Sequence, residues 1–381
     1  MSRAYLDYAA TAPVHDEVIE AMAAALRDVG NPSSVHGPGR RARARLEAAR
    51  RALAAALDAS PDSLVFTSGG TEANQLALAQ ARGGPVLVSA IEHPSLLDAA
   101  PEALRAPVTA DGVLDLEAFE RLLAQHRPAL VSVMLANNET GVLQPVREAA
   151  GLARRHGALV HCDAVQALGK MPVSLAGLDA DLLSVSAHKI GGPAGVGALV
   201  LRDGLEIAAR QRGGGQERKR RAGTENLAGI VGFGRAAELL GRQDWQRVRR
   251  LRDRLEGGVL GHCPEIRIHG AAAPRLASTS CLATPGLAAD TQLMALDLAG
   301  VAVSAGSACS SGRIGPSPVL LAMGVEAALA ACSIRVSLGW GNGEEDVDRF
   351  LGAWLALWRR KGGRDPAARP GPLSKPAPMA S

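Results

Sequence analysis

Six short apolar runs punctuate the chain between residues 64 and 202, at 64–67, 85–89, 129–134, 158–162, 181–186 and 197–201. Each is continuously apolar rather than alternating, carries β-branched residues, and closes on polar or small ones. That pattern predicts strands covered on both faces, hence a mostly parallel sheet flanked by helices. Ahead of these runs, residues 39–57 are rich in Ala, Leu, Arg and Glu and stop before Asp58-Ala59-Ser60-Pro61, which predicts a long helix. A second helix is expected over 243–260. Residues 265–350 mix strand-like and helical pieces around a Gly/Ser-rich stretch and predict a smaller α+β domain that the N-terminal residues join. The fold class is therefore α/β. The expected division is a large domain over 15–250, a small one over 1–14 and 251–361, and a tail over 362–381 whose Pro, Gly and basic residues cannot bury enough apolar surface to order it.

Composition sharpens this picture in three ways. A chain of 381 residues with 47% hydrophobic residues can build two cores. No secretion-type N-terminus and no apolar run of membrane-spanning length is present in the sequence, so the cytoplasm is the expected location. The five cysteines, Cys162, Cys263, Cys281, Cys309 and Cys332, are scattered and odd in number, which argues against a disulfide framework and leaves room for one reactive thiol. The net charge of +4 points away from nucleic acid once its distribution is considered: residues 359–381 carry six Lys/Arg and one Asp, so the rest of the chain is close to neutral. At 3% aromatic residues, stacking platforms for single strands are missing too.

In open α/β sheets ligands bind beyond the carboxyl ends of the strands. The residues there are Ser68-Gly69-Gly70-Thr71-Glu72, Glu92-His93-Pro94, Asn137-Asn138-Glu139, Asp163-Ala164-Val165-Gln166 and Ser186-Ala187-His188-Lys189. Singly, each has an ordinary reading: a tight turn with Thr71 as a cap, a hydrogen-bonded core histidine at His93, a helix cap at Asp163, a surface lysine at Lys189. Together they are an anion cradle at a helix N-terminus, a carboxylate that needs a cationic partner if buried, and a lysine suited to Schiff-base chemistry if desolvated. His161 is read as structural. His161, Cys162, Asp163 and His188 cannot all converge on a metal, because neighbours on a strand point to opposite faces; no metal site is expected.

At this point the sequence resembles the cysteine desulfurases (NifS/IscS-like), a branch of the class V aminotransferase family. The likeness runs from Tyr5-Leu6-Asp7-Tyr8-Ala9-Ala10-Thr11 to Ser333-Ile334-Arg335-Val336-Ser337-Leu338-Gly339, and includes Ser186-Ala187-His188-Lys189, Asp163-Ala164-Val165-Gln166 and Ser304-Ala305-Gly306-Ser307-Ala308-Cys309. The resemblance implies the fold-type I architecture of pyridoxal-phosphate enzymes, with a mixed, mostly parallel seven-stranded sheet. It implies that Lys189 carries the cofactor, that Asp163 pairs with its pyridinium nitrogen, and that His93 stacks on its ring. Gln166 and Asn138 would hydrogen-bond around the ring's phenolic oxygen or the substrate. Gly70, Thr71, Ser186 and His188 would hold the phosphate, with Thr224 of a partner subunit in a homodimer. Arg335, with Asn31 in support, would take the substrate carboxylate.

The activity so implied is removal of sulfur from L-cysteine. Lys189 moves the α-proton, Cys309 takes the sulfur as a persulfide, and alanine leaves. The Gly/Ser-rich stretch 304–318 would let Cys309 move between the site and an acceptor, an iron–sulfur scaffold or a sulfur carrier. The spacing around Cys309 is that of the long-loop desulfurases, whereas the Pro-rich basic tail departs from the acceptor-docking C-terminus of the housekeeping enzyme. Two other readings use part of the same features: a selenocysteine lyase or other class V transaminase or lyase, and a catalytically inert sulfur-transfer scaffold. A required thiol at Cys309 separates the first, and the intact catalytic set argues against the second.

Overall fold

The computed structural model describes residues 3–306 and 315–362. In chain order its strands are β1 (Ala4–Tyr5), β2 (Leu64–Thr67), β3 (Val86–Ser89), β4 (Leu104–Ala106), β5 (Leu130–Ser132), β6 (Leu159–Asp163), β7 (Leu182–Ser186), β8 (Gly197–Leu201), β9 (Arg267–Ile268), β10 (Thr279–Ala283), β11 (Val301–Ala302), β12 (Ser304–Ala305) and β13 (Ser333–Ser337).

Seven of them form one sheet in the order β2-β8-β7-β6-β5-β3-β4. Its pairs are parallel except that β8 runs antiparallel to both β2 and β7. Successive residues of these strands serve opposite faces, and both faces are dry. Leu183, Val185, Val131 and Val160 pack with Leu46, Leu53, Phe119 and Phe233 on one side. Leu182, Leu130, Leu199 and Val65 pack with Ala73, Leu76 and Ala77 on the other. A side chain inward on either face must be apolar, which is why the runs are continuous rather than alternating.

The helix expected over 39–57 spans Gly37–Ala56, opened by His36, whose side chain accepts from the Gly39 N–H. The helix expected over 243–260 is Trp245–His262, capped by Asp244. It packs in a separate core with Trp354, Phe350 and Val347 of helix Glu344–Arg360 and with Leu282, Ile334 and Val336 of the antiparallel sheet β12-β13-β10-β9. Ala4 and Leu6 belong to that same core. They are held there by β1, which pairs in parallel with β11. Among the described residues no helix is long and apolar enough to cross a membrane.

Candidate active site

Because β2 and β7 both oppose β8, the strands β2, β7, β6, β5 and β3 all point the same way, and their carboxyl ends lie along one edge. A cavity of about 340 Å³ opens there. Of the residues expected from sequence, Gly70, Thr71, His93, Asn138, Asp163, Gln166, Ser186, His188, Lys189 and Arg335 line it.

Asp163 ends β6 and is 6% exposed. Its carboxylate is fixed on both oxygens: Oδ1 accepts from the Val165 N–H at 2.9 Å and Oδ2 from Asn74 Nδ2 at 2.7 Å. Asn74 Nδ2 also donates to Ser95 Oγ at 2.8 Å, and Ser95 Oγ lies 2.8 Å from His93 Nδ1. His93 caps the helix Pro94–Leu97 by accepting from the Ser95 N–H at 3.1 Å. A backbone N–H can only donate, so Nδ1 is the acceptor and the neutral ring carries its proton on Nε2. Burial lowers the His93 pKa, a shift partly opposed by Asp163 and reinforced by Lys189. Beside this network Glu92 is fully buried, its carboxyl pushed well above the usual range by burial and by Asp163.

Lys189 closes the short turn Ala187–Lys189 that follows β7. Its Nζ donates to the carbonyls of Ala9 at 2.6 Å and Ala10 at 2.8 Å. The N-terminal segment thus holds the amine in place. Burial and the cations Lys189 and Lys170 bring His188 down to about 4, so its imidazole is neutral at ordinary pH. Gln166 donates from Nε2 to the Ala9 carbonyl at 3.0 Å, and its Oε1 accepts from Lys170 at 2.9 Å.

The helix Gly70–Leu78 starts at the cavity with unshared N–H groups in its first turn. A Cβ on Gly70 would sit 2.9 Å from Val165 Cγ2, so the backbone approaches the loop after β6 more closely than any side chain permits. Glu72 in that first turn takes a bidentate pair from Arg221, at 2.8 and 3.1 Å. This pair ties the helix to the segment carrying Thr224. Thr224 itself is exposed and lines a separate small cavity with Phe66, Ser68 and Arg221.

Arg335, at the middle of β13 and 3% exposed, donates to the Asn138 carbonyl at 3.0 Å and to Asp7 Oδ1 at 2.8 Å, while its Nε has no partner. Ser304 of β12 lies opposite Arg335 in the sheet. Glu139 is buried and pushed up in pKa by burial; its Oε2 accepts from Ser317 Oγ at 2.5 Å and leaves no room for a Cβ at Gly306. Cys309 lies outside the described residues. Gly306 before that segment and Ser317 after it both sit against Glu139.

Asn31 does not join this site: it is exposed, and its side chain accepts from the Ser33 N–H at 2.8 Å in a local turn. Sequence reasoning passed over Asn74, Ser95, Lys170, Ala9 and Ala10. Asn74 stands one turn after Gly70 on the helix, a spacing that puts both on the cavity side. His161, read as structural, is fully buried between Ser132 Oγ at 2.8 Å and Ser184 Oγ at 2.9 Å.

Residues 4–350 match the model of the class-V aminotransferase family. The chain is 46% identical over 366 residues to a cysteine desulfurase of Cereibacter sphaeroides, covering 92% of this chain and 94% of that protein. It is 41% identical over 370 residues to an IscS-like cysteine desulfurase of Mycobacterium tuberculosis, covering 91% and 94%. The fold superposes on the crystal structure of a NifS-like protein from Rickettsia africae with a TM-score of 0.87 at 34% identity, over 94% of this chain and 99% of that one. With the family's span and the sheet edge in agreement, this chain belongs to the class-V aminotransferases and, within them, to the cysteine desulfurases.

Proposed function

We propose that the chain uses pyridoxal phosphate to take sulfur from L-cysteine, leaving L-alanine and a persulfide on Cys309. The observation that carries this reading is the gathering of an amine, a carboxylate and an imidazole around one cavity, at Lys189, Asp163 and His93. The donor set suits the cofactor. A dianionic phosphate fits the N-terminus of Gly70–Leu78 with Thr71, Ser186 and His188 beside it. Asp163, buried without a cationic side chain bonded to it, suits a protonated ring nitrogen. When bound, pyridoxal phosphate supplies an electron sink conjugated to the substrate α-carbon.

The chain's own groups do the rest. Lys189 Nζ anchors the cofactor and, once released, takes the proton from the cysteine α-carbon. His93, with its proton on Nε2, would stack on the cofactor ring, and Gln166 and Asn138 would hydrogen-bond at its oxygen side. Arg335, with an unused Nε, takes the substrate carboxylate as a planar donor. Asn31 stands outside the cavity of its own chain, so any support it gives to the carboxylate end would come across a subunit interface. The Cys309 thiolate attacks the substrate sulfur: an S–S bond forms, the Cβ–S bond breaks, and the electron pair left on carbon is protonated to give alanine.

The same proposal covers the wider setting. Thr224 is exposed and apart from its own chain's cavity, which suits delivery to the cavity of a partner subunit in a homodimer. Exposed Leu26, Val29 and Val35, at 73%, 85% and 87%, supply apolar surface for such an interface. Two separate hydrophobic clusters support a large and a small unit, proposed over 15–250 and over 1–14 with 251–361, although Val248 already packs in the second cluster. A cytoplasmic location and an iron–sulfur scaffold or sulfur carrier as acceptor complete it.

Two substitutions test the core of this reading. Lys189→Ala should abolish the visible absorption of the protein supplied with pyridoxal phosphate. Cys309→Ala should keep that absorption but lower alanine and sulfide release from cysteine by about 100-fold or more. Undiminished alanine formation by Cys309→Ala would assign the site to a transaminase or lyase instead.

A further inference from the structure

Lys170 is an unexplained expense. It is 8% exposed in a protein where lysines can reach water at little cost, and the catalytic account above gives it no task. Its placement is specific. Gly169 adopts φ +78, and a Cβ there would meet Leu240 Cδ2 at 2.8 Å and Ile190 Cγ2 at 3.1 Å, so only glycine lets the chain turn Lys170 back beneath the cavity. Asp163 at the end of β6, and Gln166 and Lys170 in the two successive turns that follow it, thus come from one short segment. Burial, with Lys189 and Arg335 nearby, brings the Lys170 ammonium down to about 7.

The hydrogen bonds around Gln166 leave one arrangement. The Ala9 carbonyl can only accept, so the atom 3.0 Å from it must be Nε2. Oε1 then faces Lys170 Nζ at 2.9 Å, which supplies an N–H in either protonation state. The reverse orientation would set oxygen against oxygen at Ala9. With only one end of the amide held, the other would be a buried acceptor without a partner. Ala9 also takes the Lys189 amine at 2.6 Å, so the same carbonyl sits between the amide and the anchoring lysine.

We propose that Lys170 is a positioning residue that acts through Gln166, locking its amide so that the N–H donors, and not the oxygen, are presented beside Lys189. This rests on the pyridoxal-phosphate reading, which assigns Gln166 a place next to the bound ring.

The test is a double-mutant cycle on the full-length protein carrying its cofactor, read by the visible absorption of bound pyridoxal phosphate against pH. Losing an oriented donor and a neighbouring cation both favour the protonated chromophore, so Lys170→Met should raise the apparent pKa of the band by about 0.5 unit or more. In a Gln166→Ala background the same substitution should shift the band clearly less, because the part that acts through Gln166 is gone and only the loss of the nearby cation remains. Lys170→Gln, which keeps an N–H donor, should recover most of the wild-type profile. A crystal structure of Lys170→Met should show the Gln166 amide released from the Ala9 carbonyl. Equal shifts in both backgrounds, or a Gln166 side chain unmoved in that crystal structure, overturns the proposal. A wild-type protein that never colours would instead overturn the cofactor reading beneath it, and the Gln166 orientation in the crystal structure still decides the clamp.

Discussion

His161 and His188 are both brought to about 4 by burial, yet by different surroundings: His161 lies between two serine hydroxyls inside the sheet, while His188 borders the cavity beside Lys189 and Lys170. The consequence for stability follows from linkage. A histidine with an ordinary value of 6.5 that falls to about 4 on folding takes up its proton more readily in the unfolded chain. Stability from His161 is therefore complete above pH 6.5 and is lost as pH falls toward 4. At pH 5 the loss is about 2 kcal/mol. His161→Asn should accordingly be less stable than the native chain at pH 7.5, since the paired imidazole is lost, with the difference narrowing steadily by pH 5. Urea unfolding at several pH values measures this, and a difference that does not change with pH would show that the imidazole is not buried neutral.

Among elements, the strands were legible where both faces are dry. The runs at 64–67 and 197–201 match β2 and β8, and the other four overlap their strands to within a few residues. β4 escaped because Leu104 and Arg105 are only partly buried at the sheet edge, so no apolar run marks it. In the site, residues adjoining strand ends were readable because direction of the sheet alone brings them together. Asn74 and Lys170 were not, since their roles depend on a helix phase and on a glycine turn that no composition signal reports. Asn31 was placed by resemblance to a motif, and in its own chain it sits in an exposed local turn apart from the cavity. The helix Gly70–Leu78 offers a direct check on how the phosphate end is built. Gly70→Ala pushes a methyl toward Val165 Cγ2, which a β-branched side chain cannot easily yield, and so displaces the first-turn N–H groups. Its pyridoxal-phosphate dissociation constant should rise by about tenfold, the equivalent of one good charge-assisted hydrogen bond. Equilibrium dialysis at fixed protein concentration reads it, and an unchanged constant would place the phosphate elsewhere.

At the scale of the whole molecule, the site is assembled from segments far apart in sequence. Residues 9 and 10 hold Lys189, Asp7 holds Arg335, and β1 is itself paired to β11 in the other core. The cavity is thus a junction of the two cores, and the one expected phosphate ligand it lacks, Thr224, faces outward on a segment fixed by Arg221–Glu72 and by the buried Arg50–Glu217 pair at 2.7 Å. Three consecutive non-glycine residues there, Glu217, Arg218 and Lys219, have positive φ of 44°, 57° and 67°. Backbone held in so sparsely populated a region persists only where its surroundings over-determine it. In the proposed homodimer this exposed segment would enter the cavity of the other subunit, which would require it to be ordered beforehand. Replacing Leu26 and Val35 together by Asp puts two charges into the apolar surface that such a dimer would cover. The doubly substituted chain should run as a monomer in sedimentation velocity and hold pyridoxal phosphate about tenfold less tightly, although every residue of its own cavity is intact. A monomer with undiminished cofactor affinity would show that Thr224 serves no partner, and a persistent dimer would move the interface away from residues 26–35.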